Sequence, residues 1–369
     1  MTDQTIPPRI NLDNRDDLAK IDELGSLASL EQLASQCQEV WQVGESLHFD
    51  DSYRDIDRVV VAGMGGSTLG THIIQAVFKD ELRLPITVVP DYTMPSFVDS
   101  RTLVVASSYS GTTEETISAV RDAREKGAKV TGITSGGPLA DLLKEWGVPA
   151  LIFPTTFNPS KQPRLGLGYS IFGQMILLAR AGLLPLEQHH LDEVLDVIAK
   201  AHLNSGVGVP AETNPAKLLA FEMLDRIPVI TIAEHLEGTA HVFANQLNES
   251  AKTYAEYRVV PELNHHLMEG LQFPVLNQTN LLFVTTHSGL YSANNQLRMT
   301  LTEEVIEQNH IEVRSIELTA SSKLAQAFEL LVFGSYTSFY LAMLHGKNPS
   351  LIPWVDWFKA QLKERHKQE

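Results

Sequence analysis

The sequence predicts an α/β protein of two doubly wound domains, each a parallel sheet flanked by helices. Three observations predict it. From Arg58 onward, apolar strand runs alternate with helical patterns, and strands separated by helices require right-handed parallel crossovers. Runs such as VVVA (Val59–Ala62) contain no alternating polar residue, as expected of strands buried on both faces. The plan then restarts: DRVVVAGMGGSTLGTHIIQAVFKD from Asp57 is echoed by DRIPVITIAEHLEGTAHVFANQLNES from Asp225. Later, RTLVVASSYSGTTEETISAVRDAREKGAKV is echoed by NLLFVTTHSGLYSANNQLRMTLTEEVIEQNHIEV. A diffuse duplication of this kind implies two domains of similar topology.

Residues 12 to 48 read as helical, with Leu18, Ile21, Leu24, Leu27, Leu30 and Leu33 at helical spacing. The first copy runs VVVAG (strand), THIIQAVF (helix), LPITVVPDY (strand), TLVVA (strand), an acidic helix start at Glu114, KVTGIT (strand), PLADLLKEWG (helix) and PALIFP (strand). Residues 157–168, FNPSKQPRLGLG, form a Pro/Gly-rich basic connection, followed by helices to about Leu219 and then the second copy. The expected division is a helical segment 1–50, a first domain 51–155, connecting loop and helices 156–218, a second domain 219–345 and a helical tail 346–369. Ligands in such folds bind beyond the carboxyl ends of the strands, which places the expected site between the two domains.

Composition narrows the function. The chain has 369 residues, 43% hydrophobic and 20% charged, an ordinary globular balance. Its net charge of −16 speaks against nucleic-acid binding, which needs a basic face. The opening MTDQTIPPRINLDNRDD is polar, unlike a signal peptide, and no uninterrupted apolar run has membrane-spanning length. A single cysteine, Cys37, excludes a disulfide framework and fits a reducing cytoplasm. No Cys or carboxylate cluster has zinc spacing, so no metal and no cofactor is expected. The pairs His189/His190 and His235/His241 read as surface or helix-end residues.

Two hydroxyl-rich turns carry the chemistry. Gly63, Gly65 and Gly66 follow the first strand, and Ser67 and Thr68 lead into a helix. A strand, a glycine turn and a helix N-terminus make an anion site. The dinucleotide fingerprint fails at its sixth position, Thr68, and no Gly-Lys-Ser/Thr follows. The second run, ASSYSGTTEET, places Ser108, Ser110, Thr112 and Thr113 after another strand. Taken alone it reads equally as a helix cap or as a phosphate seat. Two such runs, each at a strand end, favour a phosphate ester.

These residues resemble sugar isomerase (SIS) domains, whose hallmarks are Gly-Gly-Ser after one strand and Ser-Tyr-Ser-Gly-x-Thr-x-Glu-Thr after another. Nearly the entire chain resembles the bifunctional phosphoglucose/phosphomannose isomerase family, through LDNRDDLAKI, QPRLGLGYS, NQLNESAKTYAEYRVVPELNHHLMEG and NPSLIPWVDWFK. The resemblance implies two SIS-type domains and interconversion of glucose 6-phosphate and mannose 6-phosphate with fructose 6-phosphate. It implies that Gly65, Gly66, Ser67, Ser108, Ser110 and Thr113 hold the phosphate, that Glu249 is the catalytic carboxylate, and that Arg164 sits near the reacting oxygens. It further implies that His265 assists ring opening from the partner subunit of a homodimer, and that Lys359 is the terminal site lysine, with Lys363 a nearby competitor. One departure is that the family's Asn-His-Asn-Glu reads NHHL here, with His266 and Leu267 after the histidine.

Each residue also has a plainer reading. Glu249 alone is a solvated helix carboxylate, and Arg164 a surface arginine, although PRLGLGY is otherwise apolar. Lys359 lies in an apolar tail helix with Trp354, Val355 and Phe358, expected to bury one side and present the lysine to a site, or else to snorkel. The rival to an isomerase is a non-catalytic sugar-phosphate sensor, which would not need Glu249, His265 and Arg164 together. A nicotinamide oxidoreductase is weakened by the failed fingerprint.

Overall fold

The computed structural model describes residues 10–366. The opening residues 1–9, part of the segment read as unlike a signal peptide, and the last three residues lie outside the described residues.

Two parallel sheets are present. The first contains β1 (Arg58–Gly63), β2 (Ile86–Val89), β3 (Thr102–Ser107), β4 (Lys129–Thr134) and β5 (Ala150–Ile152), in the order β2-β1-β3-β4-β5. The second contains β6 (Ile227–Ala233), β7 (Glu256–Val260), β8 (Leu281–Ser288) and β9 (Glu312–Leu318), in the order β7-β6-β8-β9. All pairings are parallel, so the predicted class and the duplication are both present.

The continuous apolar runs follow from burial on two faces. Val59 and Val61 of β1 enter the large core shared by both sheets. Val60 and Ala62 enter a second core beneath the helices Glu114–Glu125 and Gly137–Glu145, with Val120 and Leu139. In the second sheet, Ile230, Ile232, Leu282 and Val284 face the shared core, whereas Val229 and Phe283 face a smaller one. The shared core therefore fuses the two halves.

The helix Lys323–Leu344 runs through that core. It has the length and composition of a membrane span, with mean hydropathy 1.4, but 83% of the span is buried in protein. Residues 12 to 48, expected to be helical, form three helices, Arg15–Ala19, Ser26–Glu31 and Leu33–Gly44. Gly25, at φ +73°, separates the first two, since only glycine takes that conformation without strain.

One helix crossing positions the site. The helix Leu69–Val77, which follows the Gly-Gly-Ser turn, packs against the helix Glu237–Glu249. Gly238 makes this possible, because a Cβ there would collide with the His72 backbone.

Candidate active site

The first loop is a single tight turn, Gly65–Thr68, closed by the Thr68 hydroxyl donating to the Gly65 carbonyl at 3.0 Å. Gly65 sits at φ +51°, and a Cβ on Gly65 or Gly66 would meet no atom within 4 Å. The turn is open above its glycines, where a ligand can approach the backbone N–H groups. Its underside is fixed, because the Ser67 carbonyl accepts from Ser107 Oγ and from Gln174 Nε2, both at 2.6 Å.

The second loop follows β3, whose last residue, Ser107, registers against Gly63 of β1. Both loops therefore stand at the carboxyl ends of neighbouring strands, where the connection reverses direction across the sheet. Ser108 Oγ pairs with Thr113 Oγ1 at 2.8 Å and accepts from the Gly111 N–H at 3.1 Å. Ser110 is exposed and pairs with Thr112. Gly111, at φ +69°, lies so close to the Gly136 carbonyl that no Cβ fits between them. Ser67, Ser108, Ser110 and Thr113 are thus gathered at one end of one sheet.

Tyr109, the tyrosine of the Ser-Tyr-Ser-Gly run, joins the two loops, a role not assigned to it from the sequence. Its N–H donates to Ser67 Oγ at 3.1 Å, its carbonyl accepts from the Ser135 hydroxyl at 2.7 Å, and its phenol accepts from Asn158 Nδ2 at 2.8 Å. Its ring lies where a Gly166 Cβ would be, so the PRLGLGY loop must have glycine there to rest on it.

Arg164 stands on the short turn Pro163–Leu165, which lies against the Gly65–Thr68 turn. It is 7% exposed, not the surface arginine of the plainer reading. Its Nη2 donates to the carbonyls of Pro349 and Ser350 at 2.8 and 2.6 Å, and its Nη1 to Gln162 Oε1 at 3.2 Å. Its Nε, buried without a hydrogen-bond partner, is 3.9 Å from Glu249 Oε2. Burial pushes the guanidinium below its ordinary value, opposed by the carboxylates of Glu249 and Asp356.

Glu249 is the last residue of its helix, with its side chain 40% exposed. Lys252, which the sequence places three residues on, lies past the helix end in a left-handed conformation, φ +60°. Its Nζ donates to the Glu249 carbonyl and, at 3.3 Å, to that of Pro349. Burial first, and then the Arg164 charge, lower its pKa to about 8 against the pull of Glu249. Two cations therefore meet at the Pro349 carbonyl, and the Glu249 carboxylate stands beside one of them.

The remaining expected site residues are not gathered within one chain. His265 ends a short turn after β7, is exposed, and has no side-chain hydrogen bond among the described residues. Its neighbour His266 contacts Glu262. Lys359 lies on the tail helix Pro353–His366, which does not bury an apolar side as expected: Trp354 is 83% exposed, and Trp357 and Phe358 are 59% exposed. The described residues leave those rings largely uncovered. Lys359 and Lys363 are both exposed on that helix. Asp356, one turn before Lys359, is close enough to act on Arg164.

The histidines need one correction. His235 is buried, its ring nitrogen 2.9 Å from Gln326 Oε1, and His241 stacks on Tyr257 and meets the His72 ring at a tilt. His235 does stand at a helix end, on the turn Glu234–Leu236 that leads into the helix carrying Glu249, but it is buried there, and His241 is half-buried within that helix. Among the described residues, no three His, Cys, Asp or Glu side chains gather as a metal site.

Comparison with known proteins agrees with the two-sheet fold. Residues 52–143 match the SIS domain family, and residues 212–362 match the bacterial phospho-glucose isomerase C-terminal SIS domain. The chain is 34% identical to a bifunctional phosphoglucose/phosphomannose isomerase of Caldicellulosiruptor bescii, over 91% of this chain and 98% of the relative. It is 30% identical to the enzyme of that name from Thermoplasma volcanium, over 88% and 98%. Among solved structures, a hypothetical protein of Thermus thermophilus superposes with a TM-score of 0.70 at 21% identity, covering 94% of this chain and 92% of that one. That likeness shows the shared fold. The two family models and these relatives, matched over nearly their whole length, lead to one conclusion: the chain belongs to the bifunctional phosphoglucose/phosphomannose isomerase family.

Proposed function

We propose that the chain is an aldose–ketose isomerase that interconverts glucose 6-phosphate, and mannose 6-phosphate, with fructose 6-phosphate through a cis-enediol. The observation that carries this reading is the Arg164–Glu249 pair beside the two hydroxyl loops. In this reading Gly65, Gly66, Ser67, Ser108, Ser110 and Thr113 hold the ester, as the open glycines and clustered hydroxyls suit three acceptor oxygens. Glu249 takes the C2 proton and returns it to C1, and one carboxylate serves both carbons because they are adjacent. The charge that develops on the enediolate oxygens is met by Arg164, whose Nε is a buried donor with no other partner.

Ring opening requires a group that exchanges a proton with the ring oxygen, and His265 takes that role from a partner subunit. Its exposure in one chain supports this, as do the exposed Phe273, Val275, Leu276 and tail-helix rings, an apolar surface suited to a second copy. Lys359 is the terminal lysine in this reading, being one turn from Asp356, whereas Lys363 is two turns away. The setting is cytoplasmic, in keeping with one buried thiol and no disulfide.

A coupled assay on all three sugar phosphates tests the proposal. Glu249→Gln should lower kcat by about 10²- to 10⁴-fold while phosphosugar binding is kept. Full turnover in that variant would overturn the assignment of Glu249. The partner histidine is tested by mixing: Glu249→Gln and His265→Ala, each inactive alone, should regain about a quarter of wild-type activity when subunits exchange, because half of the dimers are mixed and each has one intact site. No recovery would return His265 to its own chain.

A further inference from the structure

The second sheet is one strand short of the first. Matched in order, β6, β7, β8 and β9 take the places of β1, β2, β3 and β4, and no strand takes the place of β5 among the described residues. In the first half, the chain enters β5 after the helix that follows β4. In the second half, the helix Lys323–Leu344 follows β9, and the chain leaving it is diverted to Arg164 through the Pro349 and Ser350 carbonyls. This leaves β9, seven residues long, paired only with β8 among the described residues.

The vacated position is a groove of about 830 Å³ between β9 and the helices Gln188–Ser205, Pro215–Glu222 and Lys323–Leu344. Its apolar lining includes Leu203, 77% exposed, with Leu218 and the half-buried Phe333. Its cations are already engaged: Lys200 pairs with Asp196 at 2.6 Å, and Arg314 pairs with Glu222 at 2.8 Å and also with Glu312. Glu329 accepts from the Thr319 and Ala320 N–H groups. Glu193 on the helix wall and Glu317 on the strand have no ion-pair partner among the described residues.

An open strand edge, exposed apolar side chains and unpaired carboxylates together suit one occupant. An extended peptide hydrogen-bonds an edge through its backbone, while alternate side chains meet the walls. We propose that this groove docks an extended segment of a partner protein, carrying Lys or Arg between apolar residues, as a fifth strand on β9. The parallel sense of β4 with β5 sets the expected direction. The proposal is independent of the catalytic reading, since none of these residues belongs to that site.

The test uses the full chain and a synthetic peptide of about nine residues alternating Val and Lys, long enough to cover a strand. Saturable binding is expected, with slowed amide exchange at residues 312–318. Glu193→Lys combined with Glu317→Lys should weaken binding about tenfold or more and favour a Val/Glu peptide instead. A peptide of equal charge with Pro in place of the valines keeps the attraction and loses the backbone donors, so it should leave β9 unprotected. The proposal is overturned by absence of saturable binding, by binding without protection of β9, or by equal protection from the Pro peptide. Protection of β9 through self-association of the chain alone also overturns it. Turnover in the double variant should equal wild type, which separates this test from that of the active site.

Discussion

Replacing Arg164 with methionine removes the guanidinium and keeps most of the aliphatic volume. The change deletes three charged hydrogen bonds, to Pro349, Ser350 and Gln162, a gross loss of about 4–9 kcal/mol at about 1.5–3 each. The cost of burying the cation, several kcal/mol, disappears with it. The net destabilisation is therefore on the order of 1–3 kcal/mol. With an unfolding entropy of about 2 cal/mol/K per residue, a chain of 369 residues loses only about 1–4 °C in Tm. On the proposed reading, in which the unpartnered Nε beside Glu249 meets developing charge, catalysis should suffer more. Removal of such a donor lowers kcat by about 10²- to 10³-fold. Arg164→Lys should fall between the two, keeping the charge while a single ammonium replaces the fork. The assay is steady-state turnover of fructose 6-phosphate below the measured Tm, with calorimetry on the same samples. A methionine variant within about threefold of wild-type kcat would refute the role of Arg164. A Tm loss of about 10 °C or more would show that the activity loss is structural.

Two further outcomes follow from the same geometry. Gly66→Ala places a methyl group in open space above the turn, so Tm should hold within about 1 °C while KM for the phosphosugars rises about tenfold; an unchanged KM would remove the turn from the phosphate site. His287 and Glu303, a half-buried pair at 2.8 Å, give a pH signature. The Glu303 hydrogen bond raises the His287 pKa, so that contribution is present below the ordinary histidine value and is lost as pH rises through the folded one. Glu303 is held down at about 2 by its bonds from His287, Thr285 and Ser315 despite burial, so its contribution is present above the ordinary carboxylate range and is lost as pH falls toward 2. Calorimetry from about pH 5.5 to 8 should show wild-type Tm falling relative to His287→Asn; parallel curves would contradict the pairing.

The sequence revealed what depends on local pattern. Val59 to Ala62 announced a strand because both of its faces are buried, and the echo of Asp57 in Asp225 announced the second sheet. The hydroxyl loops were legible because each follows directly on a strand. What stayed hidden depends on contacts between distant residues. Nothing near Tyr109 in the sequence says that Ser67, Asn158 and Gly166 will converge on it. Arg164 was identified, but its carbonyl partners lie 185 and 186 residues away. The burial of His235, on the turn before the helix, and of one side of His241 within it was missed because a histidine carries no local sign of which way it faces. The tail helix was expected to bury one side, but its apolar pattern does not say against what, and the described residues leave Trp354, Trp357 and Phe358 largely uncovered.

The diversion of Pro349 and Ser350 makes the two halves of the duplicated chain unequal and mutually dependent. The Arg164 guanidinium is fastened by the last stretch of polypeptide before the tail helix. Each half could preserve its own sheet and still be inert, since the clasp exists only when the end of one half grips the loop that closes the other. A cut between residues 344 and 349 would leave every strand intact while releasing the guanidinium from its anchor.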